Sequence, residues 1–414
     1  MSTVLSRHRD PTLFEAPPAR ARAARIIRDD AEALRVATEI AAILAQGAAK
    51  RDRERILPVE ELELLSDAGL LAITVPKPYG GAEVSAGTVA RVMALLSGAD
   101  GSIGQIPQNH FFMLEALRLE GTEEQKQFFY ARVLAGERFF NALSEKGTRT
   151  AHEYATRLTQ DGADFRLNGR KFYSTGVLFA HWIAVVANGD DDRTMVAFVP
   201  RDAPGITTLD DWTGFGQRTT GSGTTVLDDV AVHPFCVLDF AALFERPTPM
   251  GPFAQIMHAA VEQGIAEAAL DETVRFVRTV SRPVRESGVA AASLDPYTIA
   301  LVGEMKIKTD GSGALLDRAG HVVDAATRAP NEATVAAASV AVAEAKVATT
   351  EAALFVSSKL IELGGSSATL AEYNLDRYWR NARTHTVHDP VRWKYKIIGN
   401  YVLNGVAPPR HGAI

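Results

Sequence analysis

The chain has 414 residues with 44 Lys and Arg against 50 Asp and Glu, a formal charge of −6 that argues against a nucleic-acid or anionic-membrane binder. Its 46% hydrophobic and 23% charged residues are a globular composition, enough for several domains. A single cysteine, Cys236, rules out an intrachain disulfide and a multi-cysteine zinc site built from one chain, and fits a cytoplasmic protein.

No apolar run reaches the roughly 18 residues of a membrane span, and the opening MSTVLSRHRD lacks a secretory apolar segment. Residues 1–29 read as a polar arm rich in Arg and Pro. Residues 30–136 read as an α-helical domain. Asp30 is the expected cap of a first helix whose Ala33, Val36, Ile40, Ile43 and Leu44 share a stripe. Thr122 with Gln125 forms a capping-box pattern further on, and Gly136 supplies a stop.

Residues 137–235 change to short β-branched and aromatic runs broken by Asp-Gly, Asn-Gly and Pro-Gly, the texture of a β-barrel or sandwich. Within it, ATRLTQDGADFRLNGRKFYST reads as a hairpin followed by a further strand. Residues 236–414 return to helix in four blocks near 252–281, 296–328, 332–363 and 376–404, a four-helix bundle with a tail. Asn331 caps the third block, and Gly364-Gly365 ends it. The fold class is α+β, in three domains.

No G-x-G-x-x-G follows a strand, and neither a P-loop nor a G-x-S-x-G elbow is present. The glycine-rich stretch 214–224 is either a plain turn or a loop whose N–H groups and hydroxyls contact a polar ligand. The densest chemistry is in residues 377–396, where His385, His388 and Asp389 fall within five positions amid Arg380, Arg383, Arg392 and Lys394. An acid–base or anion-handling site and a capped helix end both fit that pattern. A metal pair, His385 with His388, lacks a third ligand, so no metal is expected. Gln105, Gln108, Asn109 and His110 suit a pocket wall or, for the imidazole, a satisfied core position. Asn141 and Ser144 could meet a planar heterocycle or serve a turn.

The α, β, four-helix order, with VPKPYGGAEV, DGSIGQIPQNHFF, LNGRKFYSTG, DDWTGFGQRTTGSGT, DPYTI and above all RYWRNARTHTVHDPVRWKY, resembles the acyl-CoA dehydrogenase superfamily from about residue 30 to the end. Within it the chain is most similar to the flavin-dependent monooxygenase branch of the sulfur-acquisition oxidoreductases and dibenzothiophene monooxygenase. The resemblance implies flavin contacts at Asn141 and Ser144, with Ser174 and Thr175 at the isoalloxazine edge. It also implies Trp212 beside the ring and Ser222 facing it. Arg282, Ser366 and Ser367 would meet the flavin phosphate, partly across a subunit boundary in a homotetramer. His388 would be the acid–base group with His385 beside it. Gln105, Asn109, His110, Phe253 and Arg383 would bind substrate. Two positions depart from the aromatic-substrate pattern: Ser367 replaces an arginine and Asn109 a tyrosine.

The function so implied is oxygenation of a small organosulfur compound, of sulfinate or sulfone type, through a flavin C4a-hydroperoxide during sulfur acquisition. Reduced FMN, with FAD the alternative, would come from a separate NAD(P)H-flavin reductase, and O₂ would be the co-substrate. Two other readings stand beside it: an acyl-CoA dehydrogenase acting on a CoA thioester, and a flavin-binding protein without catalysis. The base discriminates. Where a dehydrogenase of this superfamily carries its glutamate, this chain has His388-Asp389-Pro390, and the alternative position near Phe253, Ala254 and Gln255 has no carboxylate.

Overall fold

The computed structural model describes residues 14–150 and 153–414, so the first part of the N-terminal arm lies outside the described residues. The helical layer is α1 (Asp30–Glu54), α2 (Val59–Asp67), α3 (Ala86–Ala99), α4 (Ile106–Glu120) and α5 (Glu123–Leu134). The Thr122/Gln125 capping box at α5 is formed in both directions. The cap of α1 is Asp29, not Asp30; its carboxylate accepts from Glu32 N at 2.8 Å. Asp30 instead accepts from Ser85 N, Ser85 Oγ and Thr88 Oγ1, which ties the start of α1 to α3. Ile43, placed on the apolar stripe by sequence, is half exposed.

The β-layer holds β1 (Phe139–Ala142), β2 (Arg157–Asp161), β3 (Asp164–Lys171), β4 (Trp182–Asn188), β5 (Thr194–Pro200), β6 (Ile206–Thr208), β7 (Thr225–Val232) and β8 (Val237–Asp239). They form one mixed sheet in the order β6-β7-β3-β2-β4-β5-β8, with β1 parallel to β4. The Asp161-Gly162 pair turns the β2–β3 hairpin. Asn168-Gly169 does not turn the chain: it is a bulge inside β3, so the separate strand expected after it is β3 itself. Gly169 is needed because a Cβ there would collide with the Thr156 side chain. Strand β4 is buried along most of its length, hydrogen-bonded between β1 and β5.

After the short α6 (Ala242–Glu245) comes the bundle: α7 (Met250–Thr279), α8 (Pro296–Arg328) and α9 (Glu332–Gly364), the last capped by Asn331 through its own capping box. The fourth block is not one helix but two, α10 (Asp376–His385) and α11 (Arg392–Asn404). Pro390 has no N–H for the helical ladder and its ring disfavours helical geometry at Asp389, so the chain breaks where the histidines stand. α7 is buried along most of its length and crosses α3 at Gly264, where a Cβ would come within 2.0 Å of the Ala94 carbonyl. That crossing locks the bundle onto the N-terminal layer. Among the described residues no helix is long and apolar enough to cross a membrane.

Candidate active site

The α10–α11 break brings residues from three bundle helices together. His388 Nδ1 lies 3.1 Å from Asp389 Oδ2, and the same oxygen accepts from Gln255 Nε2 of α7 at 2.9 Å. Asp389 is buried, whereas the His388 side chain is 49% exposed, so the imidazole stands at the mouth and the carboxylate behind it. Burial alone would raise the Asp389 carboxyl, but His388, His258 and Lys394 outweigh it and hold Asp389 well below the usual carboxylate range. Lys394 of α11 closes the back of the group, donating to Gln255 Oε1 at 3.2 Å and to the Ala413 carbonyl at 2.5 Å. Burial lowers that ammonium to about 8.

Sequence reasoning missed His258, Glu262, Gln255 as a partner, and Lys346. The ring of His258 lies 4.3 Å from that of His388, centroid to centroid. His258 Nδ1 is 3.1 Å from His385 Nε2, and His385 Nδ1 is 3.0 Å from Glu262 Oε1. Lys346 of α9 also donates to Glu262, and Thr350 Oγ1 donates to Glu262 Oε2 at 2.6 Å. The sequence offers only a partial signal: His258 and Glu262 are four apart and share a face of α7, and Lys346 interrupts an alanine-rich helix, but neither says that α7 and α9 bring them together. His385 is fully buried with both ring nitrogens engaged, so it stands behind His258 rather than beside a substrate. The polar atoms of His258, His388 and Asp389 lie within 4.8 Å of one another, a different triple from the His385–His388 pair weighed above.

A second group of side chains lies where the β-layer meets α4. Thr175 Oγ1 and Ser222 Oγ are 2.7 Å apart, and Ser222 Oγ is 2.6 Å from Thr220 Oγ1. Ser174 is fully buried and its hydroxyl has no partner among the described residues. Asn109 Nδ2 donates to the Thr175 carbonyl at 3.1 Å, which fixes this loop to α4. Asn141 is buried on β1, and the Ser144 carbonyl accepts from Phe172 N at 2.9 Å. The glycine-rich loop is more than a turn. Trp212 Nε1 donates to the Gln217 carbonyl at 2.9 Å, and Gln217 N donates to Asn381 Oδ1 of α10 at 2.7 Å. Tyr173 and Gln217 both adopt positive φ, 58° and 48°, a cost of about 1–3 kcal/mol each that concentrates at functional sites.

The remaining positions divide. Gln105 and Phe253 are buried at the first turns of α4 and α7. His110 is fully buried and spends both ring nitrogens on the backbone, 2.7 Å from the Leu71 carbonyl and 3.0 Å from Phe139 N. It is the satisfied core histidine, not a cavity wall. Arg380 is clamped by Asp52 and Asp376, whereas Arg383 is exposed. Arg282 and Ser366 are exposed at one end of the bundle, with Ser367 half-buried; Ser281 Oγ donates to the Leu363 carbonyl and holds the two segments together. An open cleft of about 510 Å³ adjoins the outer face of the glycine loop between Arg53, Gly214, Arg218, Thr369 and Arg380. It does not include the histidines.

This layout is that of an acyl-CoA dehydrogenase-type flavoprotein, and the chain belongs to that family. Residues 28–137, 142–230 and 256–393 match the N-terminal, middle and C-terminal domains of acyl-CoA dehydrogenase. It lies in the monooxygenase branch. It is 33% identical over 378 residues to dibenzothiophene monooxygenase of Rhodococcus qingshengii, covering 87% of this chain and 90% of that protein. It is 31% identical to the probable FMNH2-dependent monooxygenase SfnC of Pseudomonas putida, covering 91% and 96%. FMN-bound TdsC from Paenibacillus sp. A11-2 superposes with a TM-score of 0.88 at 29% identity, covering 92% of this chain and all of that one. Methanesulfinate monooxygenase MsuC from Pseudomonas fluorescens gives 0.85, also at 29% identity, covering 92% and 99%.

Proposed function

We propose that the chain is a two-component, reduced-flavin-dependent monooxygenase of a small organosulfur compound of sulfinate or sulfone type. The observation that carries this reading is the state of Asp389. Its Oδ2 is shared between His388 and Gln255, so it orients an imidazole and is not a free base for a thioester. With Asp389 accepting from Nδ1, the other nitrogen of His388 is left to hold or release a proton. This is the carboxylate-to-imidazole arrangement that fixes ring orientation in many acid–base sites.

The residues present fit FMN. The unpartnered Ser174 hydroxyl, the Thr175–Ser222–Thr220 row and the Asn141 amide offer donors and acceptors for the polar edge of a flavin. Trp212 would wall one side. Bound reduced FMN supplies the two-electron activation of O₂. This chain's part is to exclude water with Trp212, Phe112 and Phe253, to orient the substrate, and to place the His388 proton. The buried amides of Gln105 and Asn109 favour a small polar sulfur compound over a polycyclic one, and the exposed Arg383 is a candidate anion contact. The names of SfnC and MsuC support the flavin and the sulfinate class. Arg282, Ser366 and Ser367, at the surface of a single chain, suit a phosphate contact across the boundary of a homotetramer. No nucleotide-binding motif for NAD(P)H is present, so a separate NAD(P)H-flavin reductase is assigned as the electron source.

The test supplies reduced FMN, O₂ and a panel of alkyl sulfinates and sulfones. Oxygenated product or sulfite that depends on both flavin and substrate is the expected result. Bleaching of bound flavin by an acyl-CoA, with no product across the panel, would establish the dehydrogenase instead.

A further inference from the structure

A lysine and a glutamate, both fully buried, pair in the middle of the bundle. Such a pair adds little to stability on its own, because the desolvation of two charges offsets their attraction. Lys346 and Glu262 do not stand alone, however; they end a row of imidazoles that starts beside His388. Glu262 accepts from Lys346, Thr349, Thr350 and His385, and an ionised carboxylate can only accept. Burial would raise its pKa, but Lys346 and His385 outweigh that and keep it below the usual carboxylate range. His385 must therefore carry its proton on Nδ1 and a lone pair on Nε2. His258, 3.1 Å away through Nδ1, must donate to that lone pair, which leaves His258 Nε2 unprotonated.

Both rings are neutral at rest. Burial, helped by Lys346, pushes His385 down to about 4, and burial with the adjacent His388 and His385 pushes His258 far below its ordinary value. The charged and titratable groups around them are Glu262 on α7, Lys346 on α9, His388 and Asp389 in the α10–α11 break, and Lys394 on α11.

We propose that Glu262, His385 and His258 form a proton relay behind His388, with Glu262 as the positioning residue that sets its direction. A proton arriving at His258 Nε2 releases the Nδ1 proton to His385 Nε2. The positive charge then rests on His385 against Glu262, and the reverse transfers return it. No electrons move and no other bond changes. The relay would take a proton passed from the facing His388 ring, 4.3 Å away between centroids, to the buried His385–Glu262 pair. It rests on the reading of His388 as the acid–base group and on the bonds that join His258, His385, Glu262 and Lys346.

The experiment uses the full-length protein with FMN and compares wild type, Glu262→Gln combined with Lys346→Met, Glu262→Asp, His258→Asn and His388→Ala. In wild type, ¹⁵N-histidine spectra should show His258 and His385 as neutral Nδ1–H tautomers. The paired Glu262/Lys346 variant should lose that tautomer pattern and at least tenfold in kcat, with flavin Kd and substrate KM within twofold; Glu262→Asp should restore most of the rate. His258→Asn keeps the donor to His385 but removes the imidazole lone pair, so it should fold, keep KM and lose at least tenfold in kcat, and it decides the matter if the paired variant does not accumulate. Wild-type kcat in His258→Asn, or Nε2–H tautomers in wild type, would overturn the relay. Wild-type turnover in His388→Ala would instead overturn the acid–base reading, while the tautomer spectra still report on the relay.

Discussion

Among the described residues three helices carry a buried histidine, α4, α7 and α10, and α4 uses its own in the opposite way to the paired rings of α7 and α10. On α4, His110 ends on two backbone groups, Leu71 O and Phe139 N, which cannot titrate or move. On α10, His385 ends on Glu262 and His258, which can. Both rings are pushed down to about 4, chiefly by burial, so pKa does not distinguish them. What distinguishes them is the chemistry of the partner: a backbone partner makes a rivet, and a row of ionisable partners that leads to the half-exposed His388 makes a path.

Removing His388 should give the largest effect and breaks the comparison if it fails. His388→Ala is expected to cost about 10²–10⁴ in turnover with reduced FMN and a sulfinate, the usual worth of a positioned acid–base group. Its unfolding free energy should also fall by about 1–3 kcal/mol, because the buried Asp389 carboxylate keeps Gln255 but loses the imidazole that offsets its burial. Initial rates with urea titrations would check both halves. A stability loss with retained turnover would make His388 the rivet.

His110→Ala should cost stability alone. It leaves a cavity and two unpaired buried backbone groups, for an expected loss of about 2–5 kcal/mol in unfolding free energy. Activity per folded molecule should stay near wild type, since His110 reaches no chamber. Equilibrium denaturation beside active-site titration would show it. A variant as stable as wild type but inactive would return His110 to the substrate wall.

The shared pKa depression sharpens the contrast through pH. A histidine held neutral in the fold binds fewer protons than the same residue unfolded, so stability falls as pH drops from about 6.5 toward about 4. Each such ring contributes a slope of up to about 1.4 kcal/mol per pH unit in that window and none above it. Replacing His110 with Asn should therefore remove about one proton from the pH dependence of unfolding between pH 6.5 and 4.5. An unchanged slope would mean that His110 is already protonated in the folded protein.

The same contrast explains what was legible in the sequence. Periodicity and caps mark the elements well: Asn331, the Thr122/Gln125 box and the runs HWIAVVAN and TMVAFVP stand where expected. Local ambiguity accounts for the misses, as with Asp29 against Asp30, or Asn168-Gly169 as a bulge against a turn. The break between α10 and α11 was implicit in Asp389-Pro390. The site was legible where its residues are close in sequence, His385, His388 and Asp389. It was illegible where the partners come from α7 and α9, because nothing in the spacing of His258, Glu262 and Lys346 says which residues a bundle will bring together.

The smallest effect concerns the other polar group, at Ser174, and tests whether an unpartnered hydroxyl is a defect or a waiting contact. Its Oγ is buried without a partner among the described residues, whereas the neighbouring Thr175 hydroxyl bonds to Ser222. Ser174→Ala should therefore leave the flavin-free protein within about 0.5 kcal/mol of wild type or slightly more stable, since it removes an unmet desolvation cost. With FMN the sign reverses: loss of one neutral hydrogen bond, about 0.5–1.5 kcal/mol, should raise the FMN Kd by roughly two- to tenfold. Thr175→Val should instead weaken the flavin-free protein, because Ser222 would lose a partner already in place. Thermal unfolding with and without FMN separates the two. Equal FMN-induced stabilisation of wild type and Ser174→Ala would show that the hydroxyl meets no flavin, and would move the cofactor away from this loop.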